Sequence, residues 1–142
     1  MYGMASIRRG IGENMEDRYL FKAKDCNSIW RAGLLIALQE DRCAIEESDG
    51  SKWACDARTL CQCTGLKDKN GKLIWENDIV RDKEGNCYKA FWQNNYYQFS
   101  WICVKSDIFQ IGTKWDLYIW RSYEIEVIGN TFDNPELLES EE

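Results

Sequence analysis

The side chains in this sequence whose types and spacing could carry chemistry are carboxylates, thiols and aromatic rings. Glu76 and Asp78 stand two residues apart, and Asp41, Glu46 and Glu47 gather over a short stretch. Pairs of this kind supply general acids and bases or hold Mg²⁺. Neither group lies beside a phosphate-binding loop or a second cluster at fixed spacing, so both read first as solvated faces. The chain contains no histidine, which removes Ser-His and Cys-His nucleophiles and every zinc site that needs imidazole. Cys43, Cys55, Cys61 and Cys63 could hold zinc through thiolates alone, but their spacing lacks two paired C-x-x-C knuckles. Cys61 and Cys63 would share one face of a strand, which suits a core equally well. Neither Gly112 nor Gly129 belongs to a Gly-x-Gly-x-x-Gly or P-loop pattern. The expectation is a chain that is not an enzyme, with no catalytic residues, no cofactor and no metal.

The aromatic residues point instead to binding. Seven Trp and seven Tyr in 142 residues exceed what one small core needs, and aromatic side chains are enriched in interface cores and ligand pockets. Trp75, Tyr88, Trp92, Tyr96, Tyr97 and Trp101 are the candidate ligand or interface residues. The band from Tyr88 to Trp101 could stack nucleobases, but Lys89 is the one cation within it. An aromatic core plus a subunit contact accounts for it better. A formal charge of −6 and a pI of about 4.8 repel phosphate backbones. DNA binding would require Arg8, Arg9 and Lys24 to form one patch against that field.

Positioning these residues requires short strands. The length and a hydrophobic fraction of 44% suit one domain with one modest core. An odd cysteine number and no apolar leader in Met1 to Arg18 suggest reduced thiols and a cytoplasmic location. No apolar run reaches the roughly 20 residues of a membrane span. Residues 1–17 read as a flexible arm or short irregular helix, and 18–142 as a single β-rich domain. Strands are expected from Arg18, over Ile29 to Gln39 (with a buried helix as alternative), at Lys52 to Ala54, Arg58 to Cys63, Ile74 to Val80, Cys87 to Trp92, Tyr96 to Val104, Leu117 to Trp120 and Glu124 to Ile128. Asp107 to Asp116 reads as loop. Turn chemistry marks Asp25 to Ser28, Glu46 to Ser51, Glu84 to Asn86, Asn94-Asn95 and Gly129-Asn130. Asn70-Gly71 between apolar flanks signals a hairpin whose two central residues take positive φ. Asn134-Pro135 opens a short helical element, with Asn as N-cap and Pro first inside. Turns at this spacing predict a mainly β fold, a small barrel or sandwich of short antiparallel strands with a minor helix near the C-terminus.

TGLKDKNGKLIWENDIV, Thr64 to Val80, followed by EVIGNTFDNPELL, resembles the signature of the YopX family of bacteriophage and prophage proteins. RYLFKAKD and the later Trp30-Arg31-Ala32-Gly33 resemble that family's first hairpin. Asn77 stands where the family carries glycine, at a turn position that either residue fills, and Ala23 stands where glycine is common. The resemblance implies phage origin, a β-rich domain and homo-oligomerisation, without an established activity. With the aromatic surplus it leads to an expectation of function. The chain reads as a cytoplasmic interaction protein of the host cell, an accessory or anti-defence factor that sequesters a host protein or a small nucleotide. The alternatives are a Mg²⁺-dependent hydrolase or nuclease using Glu76 and Asp78, and a DNA-binding regulator.

Overall fold

A computed structural model of the chain describes residues 15–116 and 124–138. Residues 1–14 of the expected arm, and the strand expected at Leu117 to Trp120, lie outside them. The chain divides into two compact units, Met1–Gly65 and Leu66–Glu142. The fold is mainly β, as the turn spacing predicts. No helix among the described residues is long and apolar enough to cross a membrane.

The first unit opens with a 3-10 helix, Met15–Tyr19, where the arm and first strand were expected to meet. Strands β1 (Phe21–Asp25), β2 (Trp30–Leu38), β3 (Arg42–Glu46) and β4 (Lys52–Lys67) follow. Each pairs antiparallel with the next, and β1 also pairs with β4, so the four strands close into a barrel. Alternation decides what fills it: Ala23, Cys43, Ile45 and Cys55 are buried, packed by Phe21, Leu35, Trp53, Ala57 and Leu60. Trp30 to Leu38 is a strand, not a helix. Gly33 explains one constraint on its sequence, because a Cβ there would lie 2.1 Å from the Glu46 carbonyl oxygen. Only glycine lets β2 come that close to the end of β3.

The segments expected as two strands, Lys52 to Ala54 and Arg58 to Cys63, are one 16-residue strand. They read as separate because the register against β1 jumps between Lys22↔Cys61 and Lys24↔Asp56. Thr59 bridges the jump: its Oγ1 accepts from Lys24 N at 2.8 Å and donates to the Asp56 carbonyl at 2.7 Å.

The second unit begins with the last two residues of β4, Leu66 and Lys67, followed by β5 (Leu73–Trp75), and its strands β6 (Asp78–Arg81), β7 (Cys87–Gln93), β8 (Gln98–Lys105), β9 (Lys114–Asp116) and β10 (Glu126–Asn130) form an antiparallel sheet of order β10-β6-β7-β8-β9. Both faces are covered. One carries Val80, Tyr88, Ala90, Trp101 and Cys103 in a core with Ile74 and Ile125. The other carries Ile79, Cys87 and Val104 beneath Ile128, Leu137 and Leu138. The C-terminal helical element is a 3-10 turn, Pro135–Leu138, and Leu137 N donates to the Asn134 carbonyl at 3.0 Å.

Three local expectations are corrected. The stretch Asp107 to Asp116 contains β9, whose three residues pair with Ser100 to Ile102 and are too few to show a period. Gly129-Asn130 ends β10, and the turn follows at Thr131 to Asp133. At Asn70-Gly71 positive φ falls on Gly71 alone, at 82°. The loop there is longer than a two-residue hairpin turn: Gly71 N donates to the Asp68 carbonyl at 2.9 Å, and Asp68 N to the Lys72 carbonyl at 2.8 Å.

Candidate functional site

The structure divides the six candidate aromatic residues into an inner and an outer set. Trp75, Tyr88 and Trp101 are buried. Tyr88 stands edge-on to Trp115, with ring centroids 5.5 Å apart at 88°, and its hydroxyl donates to Asp82 Oδ2 at 2.9 Å. Burial first, and then that carboxylate, push the Tyr88 phenol far above its ordinary value, so it stays a neutral donor.

Trp92, Tyr96 and Tyr97 come together at the end of the β7–β8 hairpin. Trp92 lies on the same strand face as Tyr88 and Ala90, one step beyond the core, and is opposite Phe99 in register. Their rings meet edge to face at 5.1 Å and 79°, an arrangement the ring quadrupoles favour. Tyr96 and Tyr97 occupy the turn itself, 68% and 80% exposed. Tyr97 takes a φ of 53°, in the left-handed region that a Cβ makes unfavourable by roughly 1–2 kcal/mol. The opposite hairpin face is fixed by polar contacts. Ser100 Oγ donates to Gln93 Oε1 at 2.9 Å, and Gln98 Nε2 donates to Asp116 Oδ1 at 2.6 Å. Gln93 to Gln98, QNNYYQ, carries no charged side chain. The hairpin end is therefore an uncharged aromatic projection on a braced stem.

The carboxylates do not converge. Asp78 is buried, and its Oδ2 accepts from Trp75 N at 2.8 Å. Glu47 Oε1 accepts from the Trp53 indole at 3.0 Å, while Asp41 is exposed. Among the described residues no group of three or more Cys, Asp or Glu side chains is arranged to hold a metal ion. Cys43 and Cys55 face each other across β3 and β4. Burial first, and then the neighbouring Cys43, push the Cys55 thiol up to about 11. Cys61 and Cys63 are also buried, on one face of β4.

Two concavities among the described residues gather charge instead of rings. One of about 450 Å³ is lined by Lys69, Arg81, Lys83, Asp82, Glu124 and Glu126. Its charges balance, and Glu126 Oε1 already lies 3.6 Å from Arg81 and 3.8 Å from Lys69. Another, of about 310 Å³, is lined by Arg81, Lys105, Glu136 and apolar neighbours. Neither offers a site of one sign or an aromatic wall.

Two groups of residues outside the candidate set emerge only in three dimensions. Lys22 and Lys24 lie 4.5 and 5.3 Å from the Trp30 ring. Arg31 stacks 3.4 Å over Trp53 while its Nε bonds Asp25 Oδ2 at 2.9 Å. Strand β2 also exposes Leu34, Ile36 and Leu38. Turn signals on both sides make this strand legible, but the unbroken apolar run from Leu34 to Leu38 does not show which of its side chains stay uncovered.

The crystal structure of protein EF1440 from Enterococcus faecalis matches with a TM-score of 0.51 and 22% identity, over 84% of this chain and 96% of that one, a likeness of fold. No curated protein matches the sequence. The model of the family described as YopX protein matches residues 15–139, a span holding the Asn70-Gly71 loop, both cores and the aromatic hairpin, and the chain belongs to the YopX family.

Proposed function

We propose that this chain is a binding protein that uses the exposed end of the β7–β8 hairpin to grip a protein of the host cell, as an accessory or anti-defence factor of a phage or prophage. The observation that carries the reading is the pair Tyr96 and Tyr97 held at the hairpin turn, with Tyr97 at a φ of 53°. Left-handed backbone at a bulky residue is tolerated where the side chain placed there has a use. Tyr and Trp are the side chains that make anchors at interfaces, because each covers a large area while fixing few torsions. The uncharged tip favours a protein pocket over a phosphate backbone, whose affinity rests on cationic contacts. Family membership supports the phage setting that the sequence resemblance implies.

The experiment is affinity capture from a bacterial lysate by the wild-type chain and by a Y96S/Y97S variant, both checked for native circular dichroism. A host protein held by the first and absent from the second is the expected result. Identical captures by the two chains would remove the hairpin from the proposal.

A further inference from the structure

Two thiols face each other in the barrel of the first unit. Cys43 on β3 stands directly opposite Cys55 on β4, in an uninterrupted register from Arg42↔Asp56 to Glu46↔Lys52. Both belong to one core and are buried, 4% and 5% exposed. Burial, and then the neighbouring Cys43, raise the Cys55 thiol, so the two sulfurs lie within reach of each other's charge. Other cysteines are placed differently. Cys61, Cys87 and Cys103 stand opposite Lys22, Lys105 and Tyr88, and Cys61 and Cys63 follow each other along one strand.

Backbone bonds at the two ends of the β3–β4 hairpin fix the kind of pair. Glu47 N donates to the Ser51 carbonyl at 2.8 Å, and Ala57 N to the Asp41 carbonyl at 3.2 Å. Antiparallel strands exchange such bonds at every second pair, so Cys43 and Cys55 form a hydrogen-bonded pair, as do Ile45 and Trp53. At such pairs the Cα atoms are about 5.5 Å apart, inside the roughly 4.4–6.8 Å that a disulfide spans. Directly opposite Cβ atoms stand about 4.5–5.5 Å apart, against about 3.8 Å in a disulfide. A bridge therefore needs no change of register. It needs a local approach of the strands by about 1 Å, and that strain keeps it easy to reduce.

We propose that Cys43 and Cys55 form a reversible redox modification site, which closes to a cross-strand disulfide when a small peroxide oxidises the barrel. With hydrogen peroxide, the thiolate sulfur of one cysteine attacks a peroxide oxygen and the O–O bond breaks. That sulfur becomes a sulfenic acid, and the departing hydroxide leaves as water with the proton the thiol gave up. The sulfur of the other cysteine then attacks the sulfenic sulfur. The S–S bond forms, the S–O bond breaks, and hydroxide takes the second thiol proton to leave as water. Two thiols lose two electrons, and the peroxide is reduced to two water molecules. The bridge fastens β3 to β4 inside the closed barrel and so governs how readily that barrel opens. It lies in the first unit and is independent of the Tyr96–Tyr97 hairpin of the second.

Tryptic mapping tests the site, because cleavage after Arg42, Lys52 and Arg58 puts Cys43 and Cys55 in separate peptides with one thiol each. The full chain is treated with hydrogen peroxide in native buffer, quenched with catalase, alkylated in denaturant and digested without reductant. The expected product is these two peptides joined by a disulfide, in roughly tenfold excess over Cys43 joined to any other thiol, because the fold holds the pair oriented. Dithiothreitol separates them. In urea, where Cys61 lies nearer to Cys55 along the chain than Cys43 does, linkage spreads over several thiols. C55A, checked by circular dichroism, forms no such link and leaves a sulfenic acid at Cys43 that dimedone traps. Sulfinic acid at Cys43 or Cys55 of the wild type without the bridge, a bridge as abundant in urea as in buffer, or a native pair that stays reduced while the unfolded chain oxidises would overturn the proposal.

Discussion

Three of the hairpin loops rest on one residue type used in the same way. Asp25, Asp68 and Asp82 each donate their own N–H to the carbonyl four residues on, at 2.9, 2.8 and 3.0 Å. Each accepts through Oδ1 from the N–H groups two and four residues on: Asn27 and Ile29, Asn70 and Lys72, Glu84 and Asn86. The fourth residue of each loop is left-handed, at 63° in Ser28, 82° in Gly71 and 92° in Gly85. A short carboxylate that folds back on its own turn leaves the second oxygen for a tertiary bond. Asp25 Oδ2 takes the Arg31 guanidinium, Asp68 Oδ2 takes Val127 N at 2.8 Å, and Asp82 Oδ2 takes the Tyr88 hydroxyl. Burial alone would raise Asp68, but the N–H groups of Val127, Lys72 and Asn70 outweigh it and hold the carboxyl below its ordinary value. A depressed folded value means that the unfolded chain binds the proton first as pH falls. The contribution of Asp68 is therefore complete above about pH 4 and fades as acid titrates the folded carboxyl. Asp68→Ala is expected to cost about 3 kcal/mol at neutral pH, from three lost backbone bonds. Urea unfolding checks this, and the loss must shrink at acid pH; a penalty as large at low pH as at pH 7 would separate the effect from the ionised cap.

At the scale of elements, the same turns made much of the fold legible. Asp-Cys-Asn-Ser, the Asn-Gly pair and Glu-Gly-Asn punctuate the strands where the structure bends, because turn residues act on their own backbone. The departure at Asn70 has the same origin: the pair by itself predicts a two-residue turn, while Asp68, two positions earlier, captures the N–H groups and lengthens the loop. Strand β9 is not legible because three residues show no period, and β4 reads as two strands because its irregular register depends on Thr59 bonding a different strand. The site was less legible. Tyr88 and Trp101 are indistinguishable from Tyr96 and Tyr97 by type, and only register and the covering layer decide which are core. Strain separates them in the structure. Tyr97→Gly removes the left-handed penalty at an exposed position, so it is expected to raise stability by about 1 kcal/mol, or about 3 °C in Tm for a chain of this size. The same variant is expected to weaken partner capture. A fall in Tm would show that the Tyr97 side chain stabilises the hairpin, and the functional use of its strain would lose its basis.

Across the whole molecule, the seven thiols report on where it opens. Cys26 is exposed, and Cys43, Cys55, Cys61, Cys63, Cys87 and Cys103 are buried. Burial raises the thiols of Cys43, Cys55, Cys87 and Cys103, so each is protonated as well as covered, and labelling waits on opening. Four buried thiols belong to the first unit and two to the second, which lets one reagent follow both cores by mass spectrometry. Gly33→Ala is the perturbation that addresses one of them. The added Cβ meets the backbone of Glu46 and Glu47, which cannot rotate away as a side chain would, and must push β2 from the end of β3 inside the barrel that Cys43 and Cys55 line. Forcing a methyl into packed backbone costs about 1–3 kcal/mol, so labelling at Cys43 and Cys55 is expected to quicken by about tenfold or more when opening is limited by that equilibrium. Cys87 and Cys103, in the sheet core of the other unit, are expected to quicken less, while Cys26 labels at once in both chains. Equal acceleration at all six buried thiols would mean that they are reached only through global unfolding, and the role of Gly33 would then extend beyond the barrel it closes.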